Sequence, residues 1–321
     1  MDRFIWKNGE ILPEYEATVS IYDSAMMLGD TIFTMLRTFN KELYLIDEHL
    51  ERLFDNLKYV RMSIPYDKYE IKNALYDVMD ANKFNDDDEH RLMINCTRGL
   101  LSLYQDVEHS KGPNVIIADF PLKWTVAGMG KLFDEGINMI TPNQRSIPSR
   151  LLDAKVKCRS RLHYLMANIE VSQYAGENNW ALLLDEDGFV AEGTGDNFFI
   201  VKDKIIYTPE PRNILRGITR KRIMKMAHVV EKNIDIYDVM TADEAFISGT
   251  PFVVLPVVSL NGVKIGTGKT KDYTEFWYLL SKWCCEYGVN IKEQIQEWDK
   301  KYVELQSRKG ASPYKFKENK I

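Results

Sequence analysis

The chain has 321 residues, of which 45% are apolar and 12% aromatic, and its formal net charge at neutral pH is −5. This length corresponds to roughly two domains of about 150 residues, and the aromatic content argues against intrinsic disorder. The acidic balance excludes a broadly basic nucleic-acid-binding surface, and no apolar run approaches the about 20 residues that a membrane-spanning helix needs.

The first part of the chain predicts a small α/β domain. The dipeptide Asn8-Gly9 predicts a hairpin, and a β-branched and aromatic run over 31–39 predicts a long strand. Apolar residues at helical spacing predict helices over 47–61, with Asp47 as N-cap, and over 67–82. Further strands are predicted over 91–96 and 114–118. The pattern then weakens, so we predict an N-terminal domain over 1–121 and a linker over 122–130.

The rest of the chain predicts a larger domain over 131–304, rich in strands and carrying helices. Strands are predicted over 136–140, 181–184, 189–191, 198–201, 205–207, 245–248 and 253–258. Helices are predicted over 161–175, from Thr219 to about 231, and over 272–287. Residues 305–321 are polar and rich in lysine, which predicts a frayed tail. The predicted fold class is therefore α/β, or α+β.

Several chemical motifs fail on inspection. The segment over 262–270 is similar to a nucleotide-binding P-loop, but its glycines at 262 and 268 are six positions apart where the phosphate cradle needs five. A nucleotide-binding ATPase is therefore only a remote alternative. No two histidines stand at i, i+4, so no metal site is predicted. Four cysteines without a Cys-x-x-Cys pair, and no apolar leader, predict a reduced cytoplasmic protein.

Two segments have the features of a phosphate site. Gly217 precedes a predicted helix and lets the backbone approach a ligand, while the amides of Ile218 and Thr219 are unpaired donors at the positive end of the helix dipole. A capped helix start is the simpler interpretation of this segment alone. The strand end at Gly249-Thr250 offers a second hydroxyl and another amide, and a plain turn is its simpler interpretation.

A lysine and a glutamate complete the candidate chemistry. Lys157 lies between a loop and a predicted helix, where lysine is ordinarily solvated, but its amine can condense with an aldehyde. Glu192 lies at the end of a predicted strand, where a carboxylate is ordinarily exposed. Beside a pyridine ring it would keep the ring nitrogen protonated and make the ring an electron sink.

Six motifs in order then resemble a known family, the class IV aminotransferases that use pyridoxal 5'-phosphate and have fold type IV. The family includes branched-chain and D-amino-acid aminotransferases and aminodeoxychorismate lyase. The resemblance runs from about residue 4 to residue 290. The motifs are Gly-Asp-x-x-Phe at 29–33, His-x-x-Arg-Leu at 49–53, Lys-x-x-Ser-Arg-Leu at 157–162, Glu-Gly-x-Gly-Asp-Asn at 192–197, Leu-x-Gly-Ile-Thr-Arg at 215–220, and Ala-Asp-Glu-x-Phe with Ser-Gly-Thr over 242–250.

The resemblance implies roles for individual residues. Lys157 would be the catalytic lysine that forms a Schiff base with the cofactor, although Lys155 competes for that position. Glu192 would face the pyridine nitrogen, and Arg52 the phosphate. The remaining implied cofactor contacts are Arg161, Asn197, Gly217, Ile218, Thr219, Gly249 and Thr250, and the implied substrate contacts are Phe33 and Arg98.

The resemblance also implies a fold and partners. It implies a small N-terminal α/β domain, a larger β-rich cofactor domain and a homodimer, with an amino acid and a 2-oxo acid such as 2-oxoglutarate as substrates. No nucleic acid, membrane or metal is implied.

Three departures leave the substrate open. Thr34 stands where the transaminases usually carry glutamate and resembles the lyase. Arg161 replaces an aromatic hydroxyl, and Thr97-Arg98-Gly99 resembles the D-amino-acid and lyase types. The segments 193–197 and 217–220 look more like branched-chain enzymes. A branched-chain-like transaminase is therefore the main prediction, with a D-amino-acid aminotransferase or an aminodeoxychorismate-lyase-type enzyme as alternatives.

Overall fold

A computed structural model describes residues 3–84, 88–104, 106–107 and 112–308. The chain divides into two compact units. Unit 1 comprises Met1–Leu122 and the short segment Val156–Arg161, and unit 2 comprises Lys123–Lys155 and Leu162–Ile321. The mixed α/β fold class predicted from the sequence is confirmed.

Unit 1 is a six-stranded antiparallel sheet with helices. Its strands are β1 (Phe4–Lys7), β2 (Glu10–Pro13), β3 (Thr31–Phe39), β4 (Glu42–Leu43), β5 (His90–Thr97) and β6 (Asn114–Pro121), and its helices are α1 (Ser24–Leu28), α2 (Ile46–Tyr59) and α3 (Lys68–Ala81). The strand order is β2-β1-β6-β5-β3-β4. Leu50 and Leu53 on α2 and Ile71 and Leu75 on α3 are buried, as one apolar stripe per helix requires.

The two helices begin differently. α3 starts with a capping box, in which the Asp67 side chain accepts from the backbone N–H of Glu70 and the Glu70 side chain accepts from that of Asp67. The N-cap of α2 is Leu45, with a left-handed φ of 46°, so the prediction of Asp47 as N-cap was wrong. Asp47 lies instead in the first turn, where its negative charge suits the helix dipole.

The segment Val156–Arg161 belongs to unit 1 because it pairs with the start of β3. The Phe33 N–H donates to the Lys157 carbonyl over 3.0 Å, and the Arg159 N–H donates to the Thr31 carbonyl over 3.0 Å. The Lys157 N–H donates to the Asn56 side-chain oxygen on α2 over 2.8 Å. The predicted range 131–304 included this segment in the large domain, whereas the structure assigns it to unit 1.

Unit 2 contains a nine-stranded mixed sheet. Its strands are β7 (Ile137–Ile140), β8 (Asn179–Leu184), β9 (Val190–Gly193), β10 (Asn197–Lys202), β11 (Ile205–Pro209), β12 (Val229–Lys232), β13 (Glu244–Gly249), β14 (Val253–Leu260) and β15 (Val263–Lys264). The order is β12-β11-β10-β13-β14-β7-β8-β9, with β15 paired to β14. The helices are α4 (Lys123–Val126), α5 (Leu132–Glu135), α6 (Leu162–Val171), α7 (Ile218–Met226), α8 (Ile236–Met240), α9 (Glu275–Tyr287), α10 (Ile291–Lys301) and α11 (Val303–Arg308).

Unit 2 differs from the sequence-based prediction at three places. The predicted linker over 122–130 contains α4. The helix predicted to reach residue 231 ends at Met226, because residues 229–232 form β12 and pair in parallel with β11. The predicted tail over 305–321 begins inside α11, and residues 309–321 lie outside the described part of the chain.

The segment over 262–270 forms no phosphate cradle. Asn261 and Gly262 both have positive φ and make the tight turn between β14 and β15. None of the helices in the described ranges is both long and apolar enough to cross a bilayer.

Candidate active site

In unit 1, three cations gather around the ring of Phe33, which is buried. The Lys157 Nζ lies 4.8 Å from the ring centre, the Arg159 Cζ 3.7 Å and the Arg161 Cζ 5.1 Å. An aromatic face attracts cations at such distances. The pairing of residues 156–161 with β3 produces this arrangement, since it places alternate side chains of the segment beside one strand. We call Lys157, Arg159 and Arg161, together with Arg52, the cationic cluster.

Arg52 is oriented by its neighbours on β3 and α2. Its Nη2 donates to the Thr34 hydroxyl over 3.2 Å, and that hydroxyl is also 2.9 Å from the His49 Nδ1. Burial, followed by the positive charge of Arg161, lowers the pKa of Arg52 to about 10. Arg52 therefore stays protonated at neutral pH and can pair with an anion. Thr34, where the resemblance predicted glutamate, serves as a neutral acceptor for this arginine.

His49 is a neutral imidazole among these charges. Burial is the largest cause that holds its pKa well below the usual value, and the charges of Arg52, Arg91 and Lys157 act in the same direction. A proton on His49 would add another charge to a region that already holds several cations. His49 is therefore neutral at physiological pH.

The two candidate lysines have different surroundings. The Lys155 Nζ forms an ion pair with the Asp153 carboxylate at 2.8 Å, whereas the Lys157 Nζ lies over Phe33 within the cationic cluster. This difference favours Lys157 as the nucleophilic amine.

Arg98 is engaged at the C-terminal end of α2. Its Nε donates to the Asp30 carboxylate over 2.8 Å, and its two terminal nitrogens donate to the carbonyls of Val60 and Arg61 over 3.0 and 2.8 Å. These carbonyls follow the last turn of the helix, where a cation is favourable. A substrate carboxylate would have to compete with these partners. The assignment of Arg98 as a substrate contact stays a prediction.

In unit 2, a buried carboxylate is held by three donors. Glu192, at the end of β9, is 4% exposed. Its Oε1 accepts from the Tyr164 hydroxyl over 2.7 Å, and its Oε2 accepts from the Asn197 side chain over 3.1 Å and from the Leu215 N–H over 2.9 Å. Hydrogen bonds to the ionised form stabilise a buried carboxylate.

Asn197 joins this carboxylate to two backbone segments. It lies opposite Ser248 in the register of β10 and β13, and its Nδ2 also donates to the Leu215 carbonyl over 2.9 Å. A Cβ on Gly217 would come within 2.1 Å of the Asn197 Oδ1, so only glycine fits there. The segments 217–219 and 248–250 therefore both adjoin Asn197, and we call them together the cup.

The cup contains buried hydrogen-bonding groups that lack protein partners. Within the described part of the chain, the hydroxyls of Thr219 and Ser248 are buried without a hydrogen-bond partner. The amides of Ile218 and Thr219 open α7 and have no partner within the helix. Gly249 and Thr250 follow Ser248 at the end of β13. Unmatched donors at a helix N-terminus are the arrangement that binds a phosphate group, so the cup fits a phosphate ester.

A second carboxyl lies close to Glu192 and behaves in the opposite way. Asp196 is buried, and its burial, followed by the negative charge of Glu192, holds its pKa well above the usual value. Two adjacent buried carboxyls cannot both ionise without strong repulsion. Glu192 holds the three donors, whereas the pKa of Asp196 is shifted upward, toward its neutral form.

Each predicted site residue thus has a defined place within its own unit. Phe33, Arg52, Lys157 and Arg161 lie together in unit 1, and Arg98 is engaged elsewhere in that unit. Glu192, Asn197, Gly217, Ile218, Thr219, Gly249 and Thr250 lie together in unit 2. Sequence reasoning missed Tyr164 and Asn56 as supporting residues, and it noted Thr34 only as a departure from the family pattern. The position of Tyr164 in the helix that follows the lysine segment offered a signal.

Comparison with known proteins points to one family. The sequence model described as amino-transferase class IV matches residues 31–260. A putative branched-chain-amino-acid aminotransferase of Methanocaldococcus jannaschii is 33% identical over 301 residues, which cover 90% of this chain and 99% of that protein. A D-alanine aminotransferase of Bacillus licheniformis is 29% identical over 275 residues, covering 84% of this chain and 92% of that protein.

A solved structure with a bound cofactor is also similar. The crystal structure of a T.th. branched-chain amino acid aminotransferase with pyridoxamine 5'-phosphate superimposes with a TM-score of 0.77 at 25% identity. The match covers 94% of this chain and 97% of that one.

Proposed function

Since the chain belongs to the class IV aminotransferases, which use pyridoxal 5'-phosphate, we propose that it transfers the amino group of a branched-chain-like amino acid to a 2-oxo acid such as 2-oxoglutarate. The observation that carries the proposal is the Glu192 carboxylate, buried and held by three donors beside a cup of unpartnered phosphate-binding groups. Such a carboxylate is the partner that a protonated pyridine nitrogen requires.

Different residues are proposed to hold the phosphate and the ring of the cofactor. Ile218, Thr219 and Thr250, with the close backbone approach at Gly217 and Gly249, supply amides and hydroxyls for the phosphate, and Arg52 supplies a positive charge. Asn197 and Arg161 complete the proposed contacts. When bound, the cofactor supplies an aldehyde that takes the amino group and a ring that accepts electron density from the substrate. Glu192, with its fixed negative charge, favours a proton at the ring nitrogen.

Lys157 has two tasks in the proposed reaction. Its amine binds the cofactor covalently between turnovers, and after release its Nζ carries the proton to and from the substrate α-carbon. Both tasks require the neutral form of the Lys157 amine, which lies with Arg159 and Arg161 around the ring of Phe33. Phe33 supplies an apolar wall at this amine, which suits an apolar substrate side chain and excludes water.

The substrate preference rests on two supports. The relative from M. jannaschii is named a putative branched-chain-amino-acid aminotransferase, and the similar cofactor-bound crystal structure is that of a branched-chain amino acid aminotransferase. The second support is the apolar ring of Phe33, which lies beside the proposed catalytic amine. The handedness is open, because a D-alanine aminotransferase is also similar. A homodimer and a cytoplasmic location, both expected from the sequence, remain proposals.

A half-reaction decides between these substrates. The purified protein loaded with pyridoxal 5'-phosphate is mixed with L-leucine, D-leucine or D-alanine, and the visible absorbance is followed. We expect L-leucine to convert the absorbance to that of the amino form and 2-oxoglutarate to restore it, with D-leucine inactive. Conversion by D-alanine alone would assign the D-amino-acid activity. Release of pyruvate from aminodeoxychorismate without conversion of the cofactor would assign a lyase.

A further inference from the structure

One residue beside the cup has a strained backbone. Val253 is the first residue of β14, and its φ of 67° lies in the left-handed region. Among the described residues with positive φ it alone is β-branched, and a branched Cβ makes this conformation a clear outlier. The Val254 N–H donates to the Phe252 carbonyl over 2.9 Å, so Val253 is the central residue of a γ-turn. A γ-turn with positive φ is the rare and strained form.

This γ-turn closes the short connection that carries Thr250 of the cup. Gly249 lies opposite Val253 in the register of β13 and β14, so only residues 250–252 connect the two strands. Short hairpin connections often include one residue with positive φ, and glycine usually fills that position. A valine there adopts the same conformation at a cost in stability, and it allows the chain far fewer conformations than glycine would.

Packing around the connection holds the strained turn in place. Val253 is 1% exposed, and the Phe252 ring lies so close to Gly249 that a Cβ on that glycine would come within 2.8 Å of the Phe252 Cζ. The rings of Phe252 and Trp180 meet edge to face, with 6.1 Å between their centres. Pro251 fixes a further φ of the connection. Backbone strain persists only where the surroundings hold it, and strained residues cluster at functional sites.

We propose that Val253 is a positioning residue of the cup, whose strained γ-turn holds the amide and hydroxyl of Thr250 in place for the phosphate of the cofactor. This inference rests on the proposed function, in which Thr250 contacts that phosphate. A ligand binds more tightly when its donors are already in place, because ordering a mobile connection on binding costs free energy. The strain at Val253 therefore lowers the stability of the fold and strengthens phosphate binding, and the two effects have opposite signs.

The test compares two variants that both lose the branched side chain. Of Val253→Ala and Val253→Gly, only the glycine variant adopts positive φ without strain. We expect the cofactor-free full chain of Val253→Gly to unfold at a temperature about 2–4 °C higher than that of Val253→Ala. Titration with pyridoxal 5'-phosphate, followed by visible absorbance, should nevertheless show binding roughly twofold to fivefold weaker in Val253→Gly. Pyridoxal, which has the same ring and aldehyde without the phosphate, should bind equally to both variants.

A second valine of the same strand provides the matched control. Val257 on β14 is 0% exposed and is not among the residues with positive φ. At this position Val257→Gly should unfold at a lower temperature than Val257→Ala, as glycine ordinarily does in a strand, with equal affinity for pyridoxal 5'-phosphate. If small side chains at position 253 prevent folding, Val253→Thr and Val253→Asn replace the pair, because threonine is β-branched and asparagine tolerates positive φ. The asparagine variant should then have the higher unfolding temperature and the weaker phosphate binding.

The outcomes separate this inference from the proposed function. If Val253→Gly is both less stable than Val253→Ala and weaker in phosphate binding, Val253 has an ordinary packing role and the inference is overturned. Equal affinity of the two variants for pyridoxal 5'-phosphate, or a matching loss of affinity for pyridoxal, also overturns it. If the unsubstituted protein binds pyridoxal 5'-phosphate no more tightly than pyridoxal, the cup binds no phosphate, and the proposed function itself fails.

Discussion

The two groups of site residues differ in charge and in how they are held. In unit 1, the cationic cluster consists of long, charged side chains around one aromatic ring, with a neutral histidine nearby. In unit 2, the carboxylate of Glu192 is fixed by three donors, and the cup consists mainly of backbone amides and short hydroxyls. One region consists of charged side chains, and the other combines a single hydrogen-bonded carboxylate with backbone amides.

This difference predicts how each region responds to substitution. A reaction step that depends on one amine, as proposed for Lys157, has no substitute when that amine is removed. Phosphate binding by several amides is shared, so the loss of one hydroxyl is partly compensated by the others. We therefore expect the largest single effect in unit 1 and graded effects in unit 2.

The strongest test of the comparison is Lys157→Ala. We expect kcat to fall by at least about 10³-fold, since nucleophile and general base are lost together. Cofactor binding through the cup should persist, and borohydride reduction should leave no covalent adduct at this position. Peptide mass analysis checks the adduct, and steady-state assays check the rate.

Lys155→Ala is the matched control for that substitution. It removes an amine two residues away that is paired with Asp153, so activity and adduct formation should both be retained. If the adduct is found at Lys155 in the unsubstituted protein, the assignment of the catalytic lysine is wrong.

A smaller effect is expected for Glu192→Gln in unit 2. The substitution removes the charge that favours a protonated ring nitrogen, and it places an amide N–H₂ among groups that are themselves donors. We expect proton transfer in single-turnover experiments to slow by roughly 10²-fold, while the cofactor remains bound.

Tyr164→Phe separates charge from hydrogen bonding at the same site. It removes one donor to Glu192 but leaves the negative charge, so the rate should fall by about tenfold or less. An equal loss in both variants would mean that the position of Glu192 matters more than its charge. An unchanged rate in Glu192→Gln would remove Glu192 from the proposed reaction.

The sequence could indicate which residues group together in unit 2 because many of their contacts are local. The amides of Ile218 and Thr219 have no partner within the helix because they begin it, and that start was readable from Gly217 and the apolar pattern that follows. Asn197 and Glu192 stand five residues apart and meet across a tight connection. Short spacing of this kind leaves a trace in the sequence.

Unit 1 was less readable because its key contacts join distant parts of the chain. Nothing in the sequence indicates that the segment around Lys157 pairs with Thr31 and Phe33, more than 100 positions earlier. The helix predicted to continue to residue 231 fails for a related reason, since pairing of β12 with β11 overrides the local helical preference. Arg98 was assigned as a substrate contact from its motif alone. Its partners, the Asp30 carboxylate and the carbonyls that follow α2, could be seen only in the fold.

The smallest expected effect concerns Asp196, the carboxyl beside Glu192. Because its pKa is raised in the folded state by burial and by the Glu192 charge, the native protein retains a proton that the unfolded chain has lost. The stability that this carboxyl contributes is therefore complete below its unfolded pKa, near 3.8, and is lost as the pH rises toward its folded pKa.

Asp196→Asn keeps a neutral side chain of the same shape and removes this titration. At neutral pH its activity should change less than that of Glu192→Gln, because burial and the Glu192 charge favour the neutral form of the carboxyl it replaces. Urea unfolding at pH 4.5, 6 and 7.5 should show the variant gaining stability relative to the unsubstituted protein as the pH rises, by at most about 1.4 kcal/mol per pH unit. Asp47→Asn, which alters an exposed carboxylate paired with Lys72, should show no such trend. Parallel pH profiles for Asp196→Asn and the unsubstituted protein would mean that Asp196 is ionised in the fold. Both buried carboxyls, Glu192 and Asp196, would then carry a negative charge.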